Sequence, residues 1–241
     1  MTKLNLEWWK NLPKAWKDTF SKETKKSDPT EILEVLKELE KFVATIMPSK
    51  KDSLLDELIS EDSYVYQSES FRTDLKPIAY LSKLRTLSIF NVLINPDLTP
   101  IAKLKELRSL VLYVDTGNIE PLSKIENLKN MAITVAEVDL SPLKEIKNLQ
   151  YLVLYYNKIT NLEPLGQLTN LKKLEIIGYN NDLTFLSKLT NLEYLEITSD
   201  AQDLSPIANL TQLKELHLFG DESNFDLSPL SQLANLKVSV N

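Results

Sequence analysis

The stretch LQYLVLYYNKITNLEPLGQLTN, residues Leu149–Asn170, carries two periodicities within 22 residues. Leu152-Val153-Leu154 alternates, the pattern of a half-buried strand, because successive side chains point to opposite faces. Leu162, Leu165 and Leu168 then fall three apart. Pro164 fixes φ in the first turn of a short helical segment, where its missing N–H costs nothing. Asn161 supplies a short acceptor for the free N–H groups of that turn. The stretch therefore reads as one strand followed by one helical turn.

The same phrase recurs along the chain. Its first apolar residue stands at Leu75, Leu98, Ile119, Leu140, Leu162, Leu183, Leu204 and Leu227, spaced 21 to 23 residues apart. Asp opens six copies and Asn two, Asn118 and Asn161. Proline follows three residues later at positions 77, 100, 121, 142, 164, 206 and 229, with Phe185 as the exception. Self-similarity at a steady period is the signature of a solenoid. One such unit cannot bury its apolar side, but stacked units align Leu, Ile and Met into ladders along a shared core. At about 4.8 Å per strand, eight strands span very roughly 35–40 Å.

Residues 149–170 resemble the pattern LxxLxLxxNxIxxLxxLxxLxx of the leucine-rich-repeat superfamily. They are most like the 22-residue class found in bacterial internalins and phosphatase-regulatory repeat proteins. Asn157 stands at the turn position, which elsewhere holds Val92, Asp115, Ala136, Tyr179, Asp200 or Asp221. An unbroken asparagine ladder is not expected there. The resemblance covers about residues 74–241. It implies an α/β repeat solenoid, a right-handed superhelix with parallel strands on the concave side and short helical turns on the convex side. The usual role it implies is protein–protein recognition.

Residues 1–60 do not repeat and read as a helical cap, with 61–241 as the repeat domain. Trp8, Leu12, Trp16 and Phe20 recur every four residues, on one helical face. Asp28-Pro29-Thr30-Glu31 reads as an N-cap, a proline at the first helical position and a capping-box acid. It opens a helix with Ile32, Val35, Leu36, Leu39, Phe42 and Val43 facing inward, and a shorter helix follows near Ser53–Ile59. Solenoids need an end cap, so Trp8, Trp9 and Trp16 are read as cap core, with a second binding site as the alternative. Tyr64–Gln67 is expected to add a leading strand. The last repeat breaks frame at Lys237-Val238-Ser239-Val240, which leaves either a strand edge open to self-association or a solenoid that continues past Asn241.

Composition narrows the function. The net charge of −6 and pI of about 5.1 argue against nucleic acid as the main partner; a basic or neutral protein surface fits better. No cysteine is present, which removes disulfides, thiolate catalysis and thiolate metal sites and agrees with a reducing compartment. No signal peptide or spanning segment is read from the sequence. A cytoplasmic, bacterial protein is therefore expected, with no membrane association.

In each strand the residues between core positions should face the concave side and solvent. Many are apolar or aromatic: Phe90, Val111, Tyr113, Tyr151, Val153, Tyr155, Ile177, Tyr194 and Phe219, with Tyr156 and His217 beside them. Aromatic and β-branched residues suit any strand, but Tyr and Phe are also enriched in interface cores. These eleven residues are the candidate partner-binding set, centred on Tyr151, Val153, Tyr155 and Tyr156. A second row, Arg85, Arg108, Lys129, Gln150, Lys172, Glu193, Lys214 and Lys237, reads as a solvated rim that would steer an acidic partner if it contributed.

Catalysis finds little support. His217 is the only histidine, with Glu215, Asp221 and Ser199 nearby in the repeat frame, on a face that offers no enclosure. No glycine-rich phosphate loop is present, and Asp221, Glu222 and Asp226 lack calcium-loop spacing. No cofactor or metal is implied. The expectation is a protein-binding module: a scaffold, regulatory subunit or inhibitor. A secreted or surface adhesion protein of internalin type is the alternative, and an enzyme a distant third.

Overall fold

A computed structural model describes residues 4–12, 14–38, 41–44, 75–156, 159, 161–178, 182–199, 203–221, 223 and 225–241. Each repeat returns the chain past its starting level, so consecutive strands run the same way and pair edge to edge. The result is one parallel sheet in chain order: β1 (Lys41–Ala44), β2 (Thr86–Ile94), β3 (Ser109–Thr116), β4 (Asn130–Glu137), β5 (Tyr151–Tyr156), β6 (Lys173–Ile177), β7 (Tyr194–Thr198), β8 (Glu215–Phe219) and β9 (Lys237–Val240).

Register aligns the inward residues into ladders. One runs Leu87, Leu110, Met131, Leu152, Leu174, Leu195, Leu216 and a second Ile89, Leu112, Ile133, Leu154, Ile176, Ile197, Leu218, and all are buried. The return path is a single helical turn in each repeat, such as Ser141–Glu145, Glu163–Gln167 and Thr184–Lys188. Its start is capped as the opening Asp and Asn suggest. The N–H of Ser141 donates to Asp139 Oδ1 at 2.8 Å, Glu163 to Asn161 and Thr184 to Asp182 at 3.0 and 2.9 Å. Phe185, where proline is missing, is buried and fills the core instead.

An asparagine ladder does exist, at a different position from the one read in the sequence. Asn127, Asn148, Asn170 and Asn191 each donate from Nδ2 to a backbone carbonyl of the preceding repeat, at Lys105, Glu126, Lys147 and Thr169, over 2.8–2.9 Å. Each bond gives a partner to a carbonyl in the turn that follows the short helix. The recurring Asn-Leu pair before β4, β5, β6 and β7 was its sequence signal. Asn157 lies outside the described residues.

The N-terminal helices α1 (Leu6–Asn11), α2 (Lys14–Thr24) and α3 (Pro29–Glu38) share one core with the repeats. Trp8 packs edge-on to Tyr80 of the first repeat, 5.5 Å between ring centroids, and Trp16 lies against Phe20. Asp28 Oδ1 accepts from the N–H groups of Thr30 and Glu31, capping α3. Two details depart from the expected helix through Val43. Val35 is exposed, and α3 ends at Glu38, after which Lys41–Ala44 pairs with β2 as a strand. The sheet edge offers ladder hydrogen bonds that helical periodicity alone does not weigh. The short helix near Ser53–Ile59, the strand at Tyr64–Gln67 and the 60/61 boundary lie outside the described residues. Among the described residues no helix is long and apolar enough to cross a membrane.

Candidate partner-binding face

The outward residues form three ladders. The central one runs Ser88, Val111, Ala132, Val153, Glu175, Glu196, His217, Ser239 across β2 to β9. On one side lie Thr86, Ser109, Asn130, Tyr151, Lys173, Tyr194, Glu215 and Lys237. On the other lie Tyr113, Thr134, Tyr155 and Ile177, with Thr198 and Phe219 further along.

Two chemistries divide this face. Over β3–β5, Val111, Ala132 and Val153 form an apolar cluster of their own, separate from the main core, with Tyr113, Tyr151, Tyr155 and Ile177 packed against it. The central side chains are short and the flanking ones long, so the tyrosines cover the centre line. Val111 and Val153 retain only 1% and 0% exposure. Burial raises the Tyr113 phenol above its ordinary pKa, partly offset by a hydrogen bond with the Thr134 hydroxyl. The cation of Lys173 sits 5.6 Å from the Tyr151 ring centroid, within reach of a cation–π attraction.

Over β6–β9 the face turns polar and acidic. Glu175 is buried at 1% exposure. The Tyr194 hydroxyl donates to Glu196 Oε2 at 2.8 Å. Burial, then the Glu196 bond and the nearby carboxylates, push the Tyr194 phenol well up, so it stays a neutral donor. His217 lies 5.2 Å from the Tyr194 ring, its Nδ1 is 2.7 Å from Ser239 Oγ, and its Nε2 is 3.8 Å from Glu215. The hydroxyl beside His217 is thus Ser239, one strand forward. Ser199 is buried instead, and its N–H donates to the Phe219 carbonyl.

Of the eleven candidate residues, Tyr113, Tyr151, Tyr155, Ile177, Tyr194, His217 and Phe219 are partly exposed on this face. Val111 and Val153 are on it but covered, which corrects the expectation of solvent exposure. Tyr156 is a larger correction. It alternates with Tyr155 and so points inward, 8% exposed in the main core, with burial pushing its phenol up to about 12. Its ring fills the space beside Gly178, where an added Cβ would meet it at 2.6 Å. The side chain of Phe90 lies outside the described residues.

Part of the row of rim charges is committed to ion pairs. Glu193 pairs with both Lys172 and Lys214, and Arg85 with Glu106. A cavity lined by Gly117, Glu137, Val138, Asp139, Leu140, Ile159 and Asn161 lies past the strand ends and holds none of the candidate residues. The Tyr194–Glu196 pair and the His217–Ser239 contact were not read from the sequence. Their signals were Tyr-x-Glu on one strand face and the repeat offset that sets Ser239 beside His217.

Stacked parallel strands, one helical turn per repeat and leucine ladders define a leucine-rich-repeat solenoid fold. Residues 147–188 match a family model described as leucine-rich repeats in two copies. Among solved structures, internalin C2 of Listeria monocytogenes is 28% identical with a TM-score of 0.68, over 95% of this chain and 93% of that one. A second internalin from the same organism is 27% identical with a TM-score of 0.52, over 70% of this chain and 64% of that one. The ectodomain of the Arabidopsis receptor kinase HAESA, solved with the peptide hormone IDA, shares the fold. It is 19% identical with a TM-score of 0.50, over 70% of this chain and 32% of that one. No protein of curated function matches. The chain has the leucine-rich-repeat solenoid fold and resembles bacterial internalins.

Proposed function

We propose that this chain is a non-enzymatic protein-binding module whose partner docks on the concave strand face. The observation that carries the reading is the second apolar cluster. A solvated sheet face gains nothing from Tyr113, Tyr151, Tyr155 and Ile177 gathered over Val111, Ala132 and Val153, whereas an interface centre favours large, pre-packed aromatics. The covered valines hold the rings in place, so less side-chain freedom is lost on docking. Pull-down from the source organism with the full chain tests this. Tyr113→Ala/Tyr155→Ala is expected to lose the partner while still unfolding cooperatively, with only a modest drop in melting temperature. Retention of the partner by that variant, with loss on replacing convex Lys103 and Lys144, would refute it.

The cysteine-free sequence supports a cytoplasmic scaffold, regulator or inhibitor. A secreted or surface role of internalin type is favoured by the likeness to internalin C2 over nearly the whole chain. Cell fractionation with a C-terminal epitope tag separates them: signal in the soluble cytoplasmic fraction supports the first, signal in the medium or envelope the second.

A further inference from the structure

We propose that the segment docking on this face is basic, seating an apolar anchor on the tyrosine patch and a lysine or arginine side chain against Glu196 and Glu215. This rests on the concave-face reading above and names the chemistry of the occupant.

Position supports it first. Tyr155 is on β5, Glu196 on β7 and Glu215 on β8, so the carboxylates lie two and three strand spacings from Tyr155, about 10 and 14 Å. An extended segment covers these distances in about three to four residues, and a helix in about two to three turns. One short segment therefore reaches both.

Charge supports it second. From β2 to β5 the outward ladders carry no charged side chain, whereas β7 and β8 present Glu196 and Glu215, with Lys173 on β6 and Lys237 on β9; Glu175 shares the central ladder but is buried. Glu196 accepts from a neutral phenol, and Glu215 faces a histidine across 3.8 Å. Neither contact brings a lysine or arginine to its carboxylate. Of the rim cations, Lys172 and Lys214 share Glu193, and Arg85 pairs with Glu106.

The aromatic ring of Tyr194 supports it third. It lies beside these carboxylates on the same face, so an incoming cation meets a ring and carboxylates together, which favours arginine or lysine over a neutral donor. Lys173 over Tyr151 shows the same kind of contact made within the chain.

The test is fluorescence anisotropy on the full chain with two labelled helical peptides, one of leucine and lysine, the other of leucine and glutamate. The leucine–lysine peptide is expected to bind and the leucine–glutamate peptide not to. Glu196→Gln/Glu215→Gln should weaken the first about tenfold, and the convex pair Glu126→Gln/Glu145→Gln less than about twofold. Equal binding of both peptides, no binding of the leucine–lysine peptide, or equal losses in the two glutamine pairs would overturn the proposal. Tyr155→Ala separates it from the reading it rests on. If Tyr155→Ala weakens binding while Glu196→Gln/Glu215→Gln does not, the face binds but the charge assignment is wrong. If neither changes binding, the concave face itself is wrong.

Discussion

Leu152 and Val153 are neighbours, both completely buried, and they are buried for different reasons. Leu152 sits in a ladder where β4 and β6 place Met131 and Leu174 at the same position, so its surroundings repeat and admit little but leucine. Val153 points the other way and is covered by the side chains around it. Along its ladder the residues change from Val and Ala to Glu and His. Repetition marks the side that must fit its own neighbours. Variation marks the side that is free of that constraint.

The largest effects should fall on the inward side. Leu152→Asp places an unpaired carboxylate between two turns of the core, a defect of several kcal/mol, enough to unfold the solenoid at room temperature. Leu152→Ala should cost about 2–5 kcal/mol, and Val153→Ala less than about 1.5 kcal/mol, because tyrosine rings can settle into the smaller space. Urea unfolding of the alanine variants measures the difference. Equal losses would show that the outward cluster is as rigid as the core.

Tyr155 and Tyr156 sharpen the same contrast. Tyr156→Ala removes a ring from the main core and should cost about 3–5 kcal/mol, whereas Tyr155→Ala should stay within about 1 kcal/mol and act on binding. Thermal melts of the two variants decide. Loss of stability in Tyr155→Ala as large as in Tyr156→Ala would mean that both rings are structural.

This pair also shows where the sequence stopped being readable. The period of 21 to 23 residues, the Asp and Asn caps and the Leu-x-Leu core positions are repeated signals, so each copy corroborates the others. Tyr156 was misplaced because the alternation was followed only to Tyr155. Carried one residue further, it sends Tyr156 inward like Val114 and Val135, its register partners. Burial of Val111 and Val153 was not legible, since it depends on long side chains from neighbouring strands closing over short ones. The strand at Lys41–Ala44 was hidden for a similar reason: its partner, Thr86–Ile89, is more than forty residues away, and no local pattern records it.

The asparagine ladder should give a smaller effect. Asn170→Ala leaves the Lys147 carbonyl without its side-chain donor, but that carbonyl is near solvent and water can replace part of the bond. A loss of about 1 kcal/mol is expected, measured by urea unfolding. Asn127→Ala and Asn148→Ala should match it, and their losses should add, since the bonds lie in separate repeats.

The smallest effect per residue is also the one that pH can read. Asp139, Asp182 and Asp203 accept hydrogen bonds from the hydroxyl and N–H groups of Ser141, Thr184 and Ser205, and these bonds hold each carboxyl below its ordinary pKa. A depressed folded-state pKa stabilises the fold above the unfolded value, about 3.9 for aspartate, and that contribution fades as pH falls through the folded value. Stability should therefore be flat near neutrality and decline below about pH 4, with several repeats contributing in parallel. The chain contains its own control. Asn118 and Asn161 make the same bond to the N–H groups of Glu120 and Glu163 at 2.8 and 3.0 Å, and an amide does not titrate. Converting Asp139, Asp182 and Asp203 to asparagine should leave stability near pH 7 slightly lower and its acid decline shallower, as read by urea midpoints from pH 7 to 3. An unchanged acid decline in the triple variant would assign acid sensitivity to other carboxylates.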